Sequence, residues 1–318
     1  MSSSSAKTTP LRYGGQALIE GVLMRGQSAW GVALRHPDGS IVTDSASFPK
    51  PVGWRTWPVL RGLYVLGSTF RFGFGQMTTA LQVNTFGGRR TMTFIERMLP
   101  ILIGIVLAMV IFVVVPLLAT GREQEDVSIF QRLAEGTLKF ALFAGYVFLL
   151  TRMSRIGRIW SYHGAEHMSI HCLEAGEALT VENVERFSPA HPRCGTAFLV
   201  VLFALDTIVL AALPRFGVIP DLALRIGGLP LLAGVGYEIL RFGASHGGVL
   251  SVLNKIGLWT QKLTTRQPDR SQIEVAIAAL TAALTAEGQP LPAGSQALAV
   301  RPIPEAGDLA SATIAPNA

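Results

Sequence analysis

The chain has little charge and almost no cysteine. Of its 318 residues 15% are charged, 49% are hydrophobic, and the mean hydropathy is +0.41. Soluble domains carry about 25% charged residues, so this balance is typical of a membrane protein. The two cysteines, Cys172 and Cys194, are too few for the framework of a disulfide-rich secreted protein, which favours a reducing compartment.

Long polar tracts and a Gly-x-y repeat are also missing from the body of the chain, which excludes wholesale disorder and collagen. Disorder is predicted only at the two ends. Residues 1–12 are rich in Ser and Thr and contain no apolar run, so they are neither a signal peptide nor a folded element. Residues 287–318 are rich in Pro, Ala and Gly, and we expect this tail to be disordered as well.

A small β-rich unit is predicted over residues 13–50. Strand-like segments cover residues 17–24, 30–35 and 41–48, and a Pro-Asp-Gly turn separates the last two. The next region, residues 51–97, alternates apolar residues with Arg and Gly at helical spacing. This pattern predicts an amphipathic helix that lies at the membrane interface.

Four apolar segments are long enough to suggest transmembrane helices. Residues 98–119 contain 22 residues without a charge, and three weaker candidates of 19 residues cover 133–151, 195–213 and 222–240. At 1.5 Å per residue the first crosses a hydrocarbon core of about 30 Å. We therefore predict an α-helical membrane protein with helices one and two in residues 98–151 and helices three and four in residues 195–241.

The distribution of Lys and Arg predicts the orientation of these helices. Segments 1–97, 152–194 and 241–318 hold 22 of the 27 Lys and Arg residues, and residues 120–139 and 214–225 hold the other five. By the positive-inside bias, both termini and the loop 152–194 are expected in the cytoplasm. Because topology accounts for the net charge of +6, we expect no nucleic acid partner.

The cytoplasmic loop 152–194 contains the strongest chemical signal. His163, His167 and His171 follow one another at intervals of four, so a helix places them within one arc of its surface, with Cys172 pointing away. Gly176 is a suitable C-terminal stop for this helix. Neutral imidazole is the commonest metal ligand, and residues at i and i+4 can reach one ion together.

The segment from His163 to His167 also has the order H-x-x-E-H of inverted zinc proteases, in which Glu166 would act as the base. A third ligand must come from His171, His191 or Cys194. We expect a divalent metal, with zinc first. Two alternatives stay open, namely that the histidines pack the helix against the membrane surface or sense protons without metal.

Other polar residues indicate a function less specifically. Glu238 at the end of the fourth predicted span is a reserve acid or base, although pairing with Arg241 is as good an explanation. Asp206 lies deep in the third span and is expected to face a partner such as Arg225 or a polar cavity. Two short motifs have a structural explanation. Glu20 and Arg25 can form an ion pair, and Ser271 and Glu274 can form a capping box in the C-terminal helical segment 242–286.

Four motifs in order resemble those of the YqhQ-like family of bacterial membrane proteins: EGVLMRG at 20–26, YHGAEHMSIHCLEAGE at 162–177, LTVENVERFSPAHPRCGTAFL at 179–199 and LTTRQPDRSQIEVAIAAL at 263–280. The resemblance covers residues 12–284 and implies a polytopic membrane protein with a domain of unknown function, described as a predicted metal-dependent enzyme. By position its motifs fall on His163, Glu166, His167, His171, Cys172, His191 and Cys194. Met168 stands where a polar or basic residue is expected, and this departure touches none of the proposed ligands.

These observations predict a metal-dependent membrane enzyme, hydrolytic in character, at the cytoplasmic face of the bacterial plasma membrane. The alternative is a non-catalytic membrane factor whose structural metal site helps to bind a cytoplasmic or membrane protein partner. Three protein ligands would indicate an open catalytic site and four a closed structural one. A transporter that uses Asp206 is disfavoured, because the chain shows no repeat symmetry or paired broken helices.

Overall fold

The computed structural model describes residues 13–48, 52–88, 90, 92–120, 128–192, 194–213, 216–246 and 251–304. The predicted disordered start, residues 1–12, and the last part of the predicted tail, residues 305–318, lie outside these ranges. Within them the chain forms a five-stranded sheet and ten α-helices. The expected helical architecture with a small β unit near the N-terminus is confirmed.

The first four strands form an antiparallel meander: β1 (Gly14–Leu18), β2 (Gly21–Arg25), β3 (Ala29–Arg35) and β4 (Ile41–Ser47). The predicted single strand over residues 17–24 is wrong, because the chain reverses at the two-residue loop of Ile19 and Glu20 between β1 and β2. Glu20 has a φ of 52°, a left-handed conformation suited to a tight turn. The turn predicted between β3 and β4 is confirmed.

Helices cover both faces of this sheet. Apolar side chains of α5 (Ser154–Glu174) and α10 (Arg270–Ala286) pack against one face, and those of α1 (Leu60–Phe86) pack against the other. On the first face the sheet contributes Val22, Met24, Ala33 and Ile41, and on the second Leu18, Leu23, Val32, Leu34 and Val42. The central strands are therefore buried on both sides, and the result is a three-layer unit.

The predicted tail begins with an ordered segment. Residues 287–304 follow α10 and end in β5 (Val300–Pro302), which pairs in parallel with β4. On the way, the Gln296 N–H donates to the carbonyl of Leu179, and the Leu179 N–H donates to the Ser295 hydroxyl. The expectation of disorder from residue 287 is thus wrong for the described part of the tail, because the edge of β4 supplies backbone partners that composition does not reveal.

The N-terminus of α10 also differs from the expectation. Its N-cap is Asp269, whose carboxylate accepts from the Gln272 N–H, and the Gln272 side chain accepts from the Asp269 N–H. The capping box therefore lies two residues earlier than the predicted pair of Ser271 and Glu274. Glu274 instead forms an ion pair with Arg35 of β3 at 3.1 Å, so its charge helps to join α10 to the sheet.

Three helical segments are long and apolar enough to cross a membrane. They are Phe94–Ala119, which comprises α2 (Phe94–Met109), a π-helical turn (Val110–Val114) and α3 (Val115–Ala119); α4 (Ile129–Thr151); and Ile219–Phe242 within α8 (Val218–His246). The third predicted span corresponds to α7 (Thr196–Ala212), whose apolar part, Phe198–Val209, is shorter. Three helices of spanning length and one shorter apolar helix therefore stand where we predicted four spans.

The predicted interfacial helix corresponds to α1, which joins the apolar helices to the sheet. Near its start, Gly62 lies against Gly234 and Tyr237 of α8. Near its end, Ala80 and Val83 are buried under the sheet. Helix α1 therefore packs on both parts of the molecule, and its placement at a membrane interface stays a prediction. The remaining helices are the short α6 (Val181–Val184) and α9 (Ser251–Thr264).

A network of buried charges connects three of the apolar helices. Lys139 of α4 forms ion pairs with Asp206 of α7 at 2.5 Å and with Glu135 at 3.2 Å, and Arg225 of α8 binds Glu135. Asp206 therefore has Lys139, not Arg225, as its cation. The two acids and two bases balance, so the network is neutral as a whole, which makes its burial tolerable.

Replacing Arg225 by Met is expected to lower the free energy of unfolding by about 3 kcal/mol, because the buried Glu135 carboxylate loses a cation. Unfolding of detergent-purified protein by heat or by SDS measures the effect. The control is Arg152→Met, since Arg152 is exposed and its guanidinium stacks on Phe148. The control substitution should lower the free energy of unfolding by about 1 kcal/mol or less. Equal losses in the two variants would show that the network does not stabilise the helix packing.

Candidate metal centre

The predicted histidine helix is present as α5. It places His163, His167 and His171 on one side, and Cys172 on the other side within the core shared with the sheet. The helix ends as expected: Gly176 has a φ of 72°, and the Glu177 N–H donates to the carbonyl of Cys172. This left-handed glycine stops the helix after one more turn beyond His171.

Backbone carbonyls fix the orientation of two imidazoles. The Nδ1 atom of His163 lies 2.8 Å from the carbonyl oxygen of Thr264, and Nδ1 of His167 lies 2.7 Å from that of Pro189. A carbonyl oxygen can only accept a hydrogen bond, so each Nδ1 carries the proton. In the neutral ring, each Nε2 then carries no proton and keeps its lone pair, and an imidazole in this form can bind a metal.

Cys194 completes a group of three possible ligands. One ligand atom from each of His163, His167 and Cys194 lies within 4.8 Å of the others. The Cys194 sulfur is 3.4 Å from His163 Nε2 and accepts from the amide and the hydroxyl of Thr196 at 3.5 and 3.4 Å. Burial raises the pKa of the Cys194 thiol, so without a cation the sulfur keeps its proton and can donate to His163 Nε2.

His191 and His171 lie beside this group and not within it. The ring centroid of His191 is 5.7 Å from that of His167 and 4.4 Å from that of His171. Its Nε2 lies 3.5 Å from a carboxylate oxygen of Glu174. The structure therefore brings together all five sequence-predicted ligands, but it separates them into a three-ligand group and an adjoining pair of histidines.

Glu166 is a buried carboxyl next to the three ligands. It accepts a hydrogen bond from the Gly15 N–H of β1, and its Oε2 atom has no partner among the described residues. A Cβ atom on Gly15 would lie 2.8 Å from the Glu166 carboxyl carbon, so this approach needs glycine. Burial raises the pKa of Glu166 to about 8, with a smaller increase from Cys194 and an opposing effect of His163.

Glu238 is not brought to the site. Its carboxylate accepts from the Arg61 guanidinium and from the Val59 N–H, so its ion pair joins α8 to α1. Neither Glu238 nor the predicted partner Arg241 lines the cavity described below. The short-range pair expected in the N-terminal unit is also not formed: Glu20 binds Arg158 of α5, and Arg25 donates to Thr69 of α1.

A cavity of about 340 Å³ opens onto the candidate ligands. One wall is β1 with the preceding residue, Tyr13, and the facing wall is α5. The floor is the start of α7 with the loop before it. The lining residues on α5 are Ile159, Trp160, His163, Glu166, His167 and Ile170. Apart from the histidines and Glu166, the α5 wall is apolar, whereas the lining residues Gly14 and Gly15 of β1 are exposed, so the cavity is partly open to solvent.

Several residues that support the site were not found from the sequence. The Gln261 side chain accepts from the His191 N–H at 2.8 Å and donates to the His191 carbonyl at 2.9 Å, and it is buried. Gly164 lies so close to the segment before α10 that a Cβ would be 2.1 Å from the Arg266 carbonyl oxygen. The fourth motif contained a signal for this segment, because its polar run from Thr264 to Arg270 is longer than the cap of α10 requires.

Two buried histidines should destabilise the metal-free protein in acid because they must be protonated on unfolding, whereas Glu166, whose pKa is raised to about 8, acts in the opposite direction. Burial lowers the pKa of His167 to about 3 and that of His191 to about 4, from 6.5 in the unfolded chain. Each therefore stabilises the fold above pH 6.5, and this contribution decreases as the pH falls below 6.5. When the pH falls from 7.5 to 5.5, each of these two histidines should lower the free energy of unfolding by about 1.4 kcal/mol.

The measurement is unfolding in EDTA at the two pH values. In His167→Asn the unfolding free energy at pH 5.5, relative to that at pH 7.5, should be higher than in the wild type by about 1.4 kcal/mol. Gly145→Ala is the control and should behave as the wild type, because it changes no titratable group and a Cβ at this position meets nothing within 4 Å. The same pH dependence in His167→Asn and the wild type would mean that His167 is not held as a neutral buried imidazole.

Comparisons with known proteins identify the family. Residues 57–286 match a family described as protein of unknown function, DUF1385. The chain is 29% identical over 296 residues to the uncharacterized protein YqhQ of Bacillus subtilis (strain 168). This alignment covers 86% of the chain and 92% of YqhQ. No solved structure matches the chain. The chain therefore belongs to the DUF1385 family of YqhQ-like proteins.

Proposed function

We propose that this protein is a metal-dependent, hydrolytic membrane enzyme whose site lies at the cytoplasmic face of the bacterial plasma membrane. The observation that carries the proposal is the convergence of His163, His167 and Cys194, one ligand atom from each within 4.8 Å of the others, next to the buried carboxyl of Glu166. Two imidazoles and a thiol form a donor set that suits zinc.

The residues fit a metal in three respects. The carbonyls of Thr264 and Pro189 leave both Nε2 atoms unprotonated, and metal-bound histidines usually have such partners on the other ring nitrogen. The Cys194 thiol, protonated when no cation is near, becomes a strong ligand as a thiolate. The unpartnered oxygen of Glu166 lies in the same buried wall.

The ligand count favours an enzyme over a structural site. Three ligand atoms converge among the described residues, while His191 is 5.7 Å away from His167 between ring centroids and its Nε2 lies 3.5 Å from a carboxylate oxygen of Glu174. Zinc with three protein ligands keeps a position for water or substrate and lowers the pKa of bound water toward about 7. A closed four-ligand site, as expected for a non-catalytic membrane factor, would need His191 to move.

Glu166 supplies acid and base chemistry in this proposal. Burial raises its pKa to about 8 in the metal-free protein, and a cation held by the three ligands would lower it from there toward neutral pH, where a carboxyl group can both accept and release a proton. We assign it the removal of a proton from a water molecule in the cavity and the transfer of that proton to the leaving group. The apolar wall of Ile159, Trp160 and Ile170 would exclude other water and orient the substrate.

The membrane location rests on three helices of spanning length and on their exposed apolar surface. Leu102, Ile103 and Val106 of α2 are 59%, 57% and 53% exposed, which suits a lipid environment. With the shorter apolar helix α7 as a fourth span, the Lys and Arg distribution supports a cytoplasmic location for the site and both termini. A cytoplasmic protein partner remains compatible with this orientation, and we expect no nucleic acid partner.

The first test is the metal content of detergent-purified protein after mild chelation and dialysis. We expect close to one zinc per chain in the wild type and in Glu166→Gln, because Glu166 is not a ligand. His167→Ala should lose most of the metal. Glu238→Gln is the control, since its ion pair with Arg61 lies outside the cavity, and it should keep the metal. A wild type without metal, or a fully loaded His167→Ala, would refute the proposed site.

X-ray absorption on the zinc-loaded protein separates the enzyme from the structural alternative. The enzyme predicts one sulfur and two imidazole nitrogens from the protein, with water oxygen completing the shell. The structural site predicts a third imidazole, which His191→Ala would remove. A spectrum with three imidazoles in the wild type and two in His191→Ala would favour the non-catalytic membrane factor.

The packing of Gly164 should influence the metal without involving a ligand. Gly164→Ala would push the Arg266 carbonyl away, and with it the neighbouring Thr264 carbonyl that orients His163. We expect zinc affinity to fall about 10-fold to 100-fold, as for other losses of a ligand's hydrogen-bond partner. Gly145→Ala is the matched control, because a Cβ at this helical position meets nothing within 4 Å.

Competition with a fluorescent zinc chelator measures both affinities. Equal affinities in the two variants would mean that the segment around Arg266 does not position His163.

A further inference from the structure

We propose that the cavity binds an extended polypeptide segment, which pairs as an additional strand with the outer edge of β1 and presents a peptide bond to the candidate metal centre. This inference rests on the proposed hydrolytic function and names its substrate class. The proposal is supported by the position of β1: this edge strand forms one wall of the cavity, and the histidine helix α5 forms another.

β1 has one edge that is not used by the sheet. Among the described residues, the strand order β1-β2-β3-β4-β5 gives β1 a single strand partner, β2. Tyr13 and residues 14–17 line the cavity consecutively, so the edge runs along the cavity for most of its length. Such an edge presents unpaired N–H and C=O groups that can pair with another extended chain.

The strand register shows which groups point outward. Leu18 and Gly21 flank the two-residue loop and form a hydrogen-bonded pair, so bonds to β2 alternate along β1. Gly15 and Ala17 therefore direct their backbone groups away from β2. The hydrogen bond from the Gly15 N–H to Glu166 agrees with this direction. In the described chain, no hydrogen bond from outside the sheet reaches the Ala17 N–H or the carbonyls of Gly15 and Ala17.

The dimensions suit a short peptide. The five residues of β1, at about 3.3 Å each, span about 16 Å. The lining part of α5, from Ile159 to Ile170, has nearly the same length at about 1.5 Å per residue. An extended segment of about five residues would match both walls, and its backbone would pass Glu166 and the two ligand histidines of α5.

The lining also indicates the chemistry of the peptide. Ile159, Trp160 and Ile170 offer contact to apolar side chains. The buried indole N–H of Trp160 has no partner among the described residues, so it is a donor left for a ligand. We infer that the bound segment carries apolar residues, and that its main chain rather than a charged side chain supplies the hydrogen bonds.

The reaction at this site would be hydrolysis of the bound peptide bond. The water oxygen forms a bond to the carbonyl carbon, and the carbon–nitrogen bond breaks. The proton that Glu166 takes from the water goes to the departing nitrogen, so one water is consumed and a carboxylic acid and an amine are formed.

The test measures binding to Glu166→Gln, which should bind without turnover. The probe is a pool of fluorescein-labelled decapeptides, randomised over apolar residues at the four central positions, added to full-length protein in detergent. We expect binding by fluorescence anisotropy. No binding from the pool would overturn the proposal. Binding of dihexanoyl phosphatidylcholine in place of the peptides would also overturn it and would assign the cavity to an amphiphile.

Proline variants test the strand pairing. Ala17→Pro in the Glu166→Gln background removes the outward N–H of β1 without removing a bond to β2, and it should weaken peptide binding at least tenfold. Ser45→Pro is the matched control: it removes an outward amide from the other side of the sheet, on β4 beyond its pairing with β5, and should bind as the parent does. Equal binding by the two proline variants would exclude pairing with β1.

A second measurement does not depend on the folding of a variant. The tightest peptide is resynthesised with N-methyl groups on alternate residues, in two versions that are offset by one position. Strand pairing predicts that one version loses at least tenfold in affinity and the other does not, because only alternate amides face β1. Equal effects of both versions would overturn the proposal. Zinc content is measured on the same samples, so a failure of the metal proposal is seen separately from a failure of peptide binding.

Discussion

His163 and His167 keep their orientation because each Nδ1–H is bonded to a backbone carbonyl from a different part of the chain. Thr264 is the last residue of α9, and Pro189 lies in the loop between α6 and α7. A backbone carbonyl at 2.7–2.8 Å cannot rotate away as a side chain can, so it fixes both the ring and its tautomer. The candidate ligand set therefore depends on how three segments pack and not on the histidine helix alone.

That packing joins the sheet to the apolar helices. Helix α5 follows α4 after two residues, and its buried side carries Tyr162, Met168 and Ile170 into the core that it shares with α10 and the sheet. Cys194 comes from the other direction, immediately before α7. The candidate centre lies where these elements meet, and each is held by a different interaction: Gly164 against Arg266, and Gln261 on the backbone of His191.

Patterns that are local in the sequence predicted more than patterns that are not. The spacing of His163 and His167 predicted one helix face because 3.6 residues make a turn, and Gly176 predicted where the helix ends. The partners of these side chains were out of reach, because Thr264 is 101 residues from His163 and acts through its backbone. Glu238 shows the same limit: Arg241 was near in sequence, whereas its actual cation, Arg61, is 177 residues away.

Two carboxylates that join the apolar helices have cations, and this contrast gives Glu166 its meaning. The buried Glu135 lies between Lys139 and Arg225, and the half-buried Glu238 binds Arg61. Glu166 is 4% exposed and has one backbone N–H as its donor. A carboxylate in that environment is costly, so burial favours the protonated form and reduces stability whenever the group is ionised. A divalent cation held by His163, His167 and Cys194 would offset this cost by its charge. The buried position of Glu166 therefore reduces stability. A role of Glu166 as acid and base beside a metal explains why this cost is tolerated, and a packing role for the histidines does not.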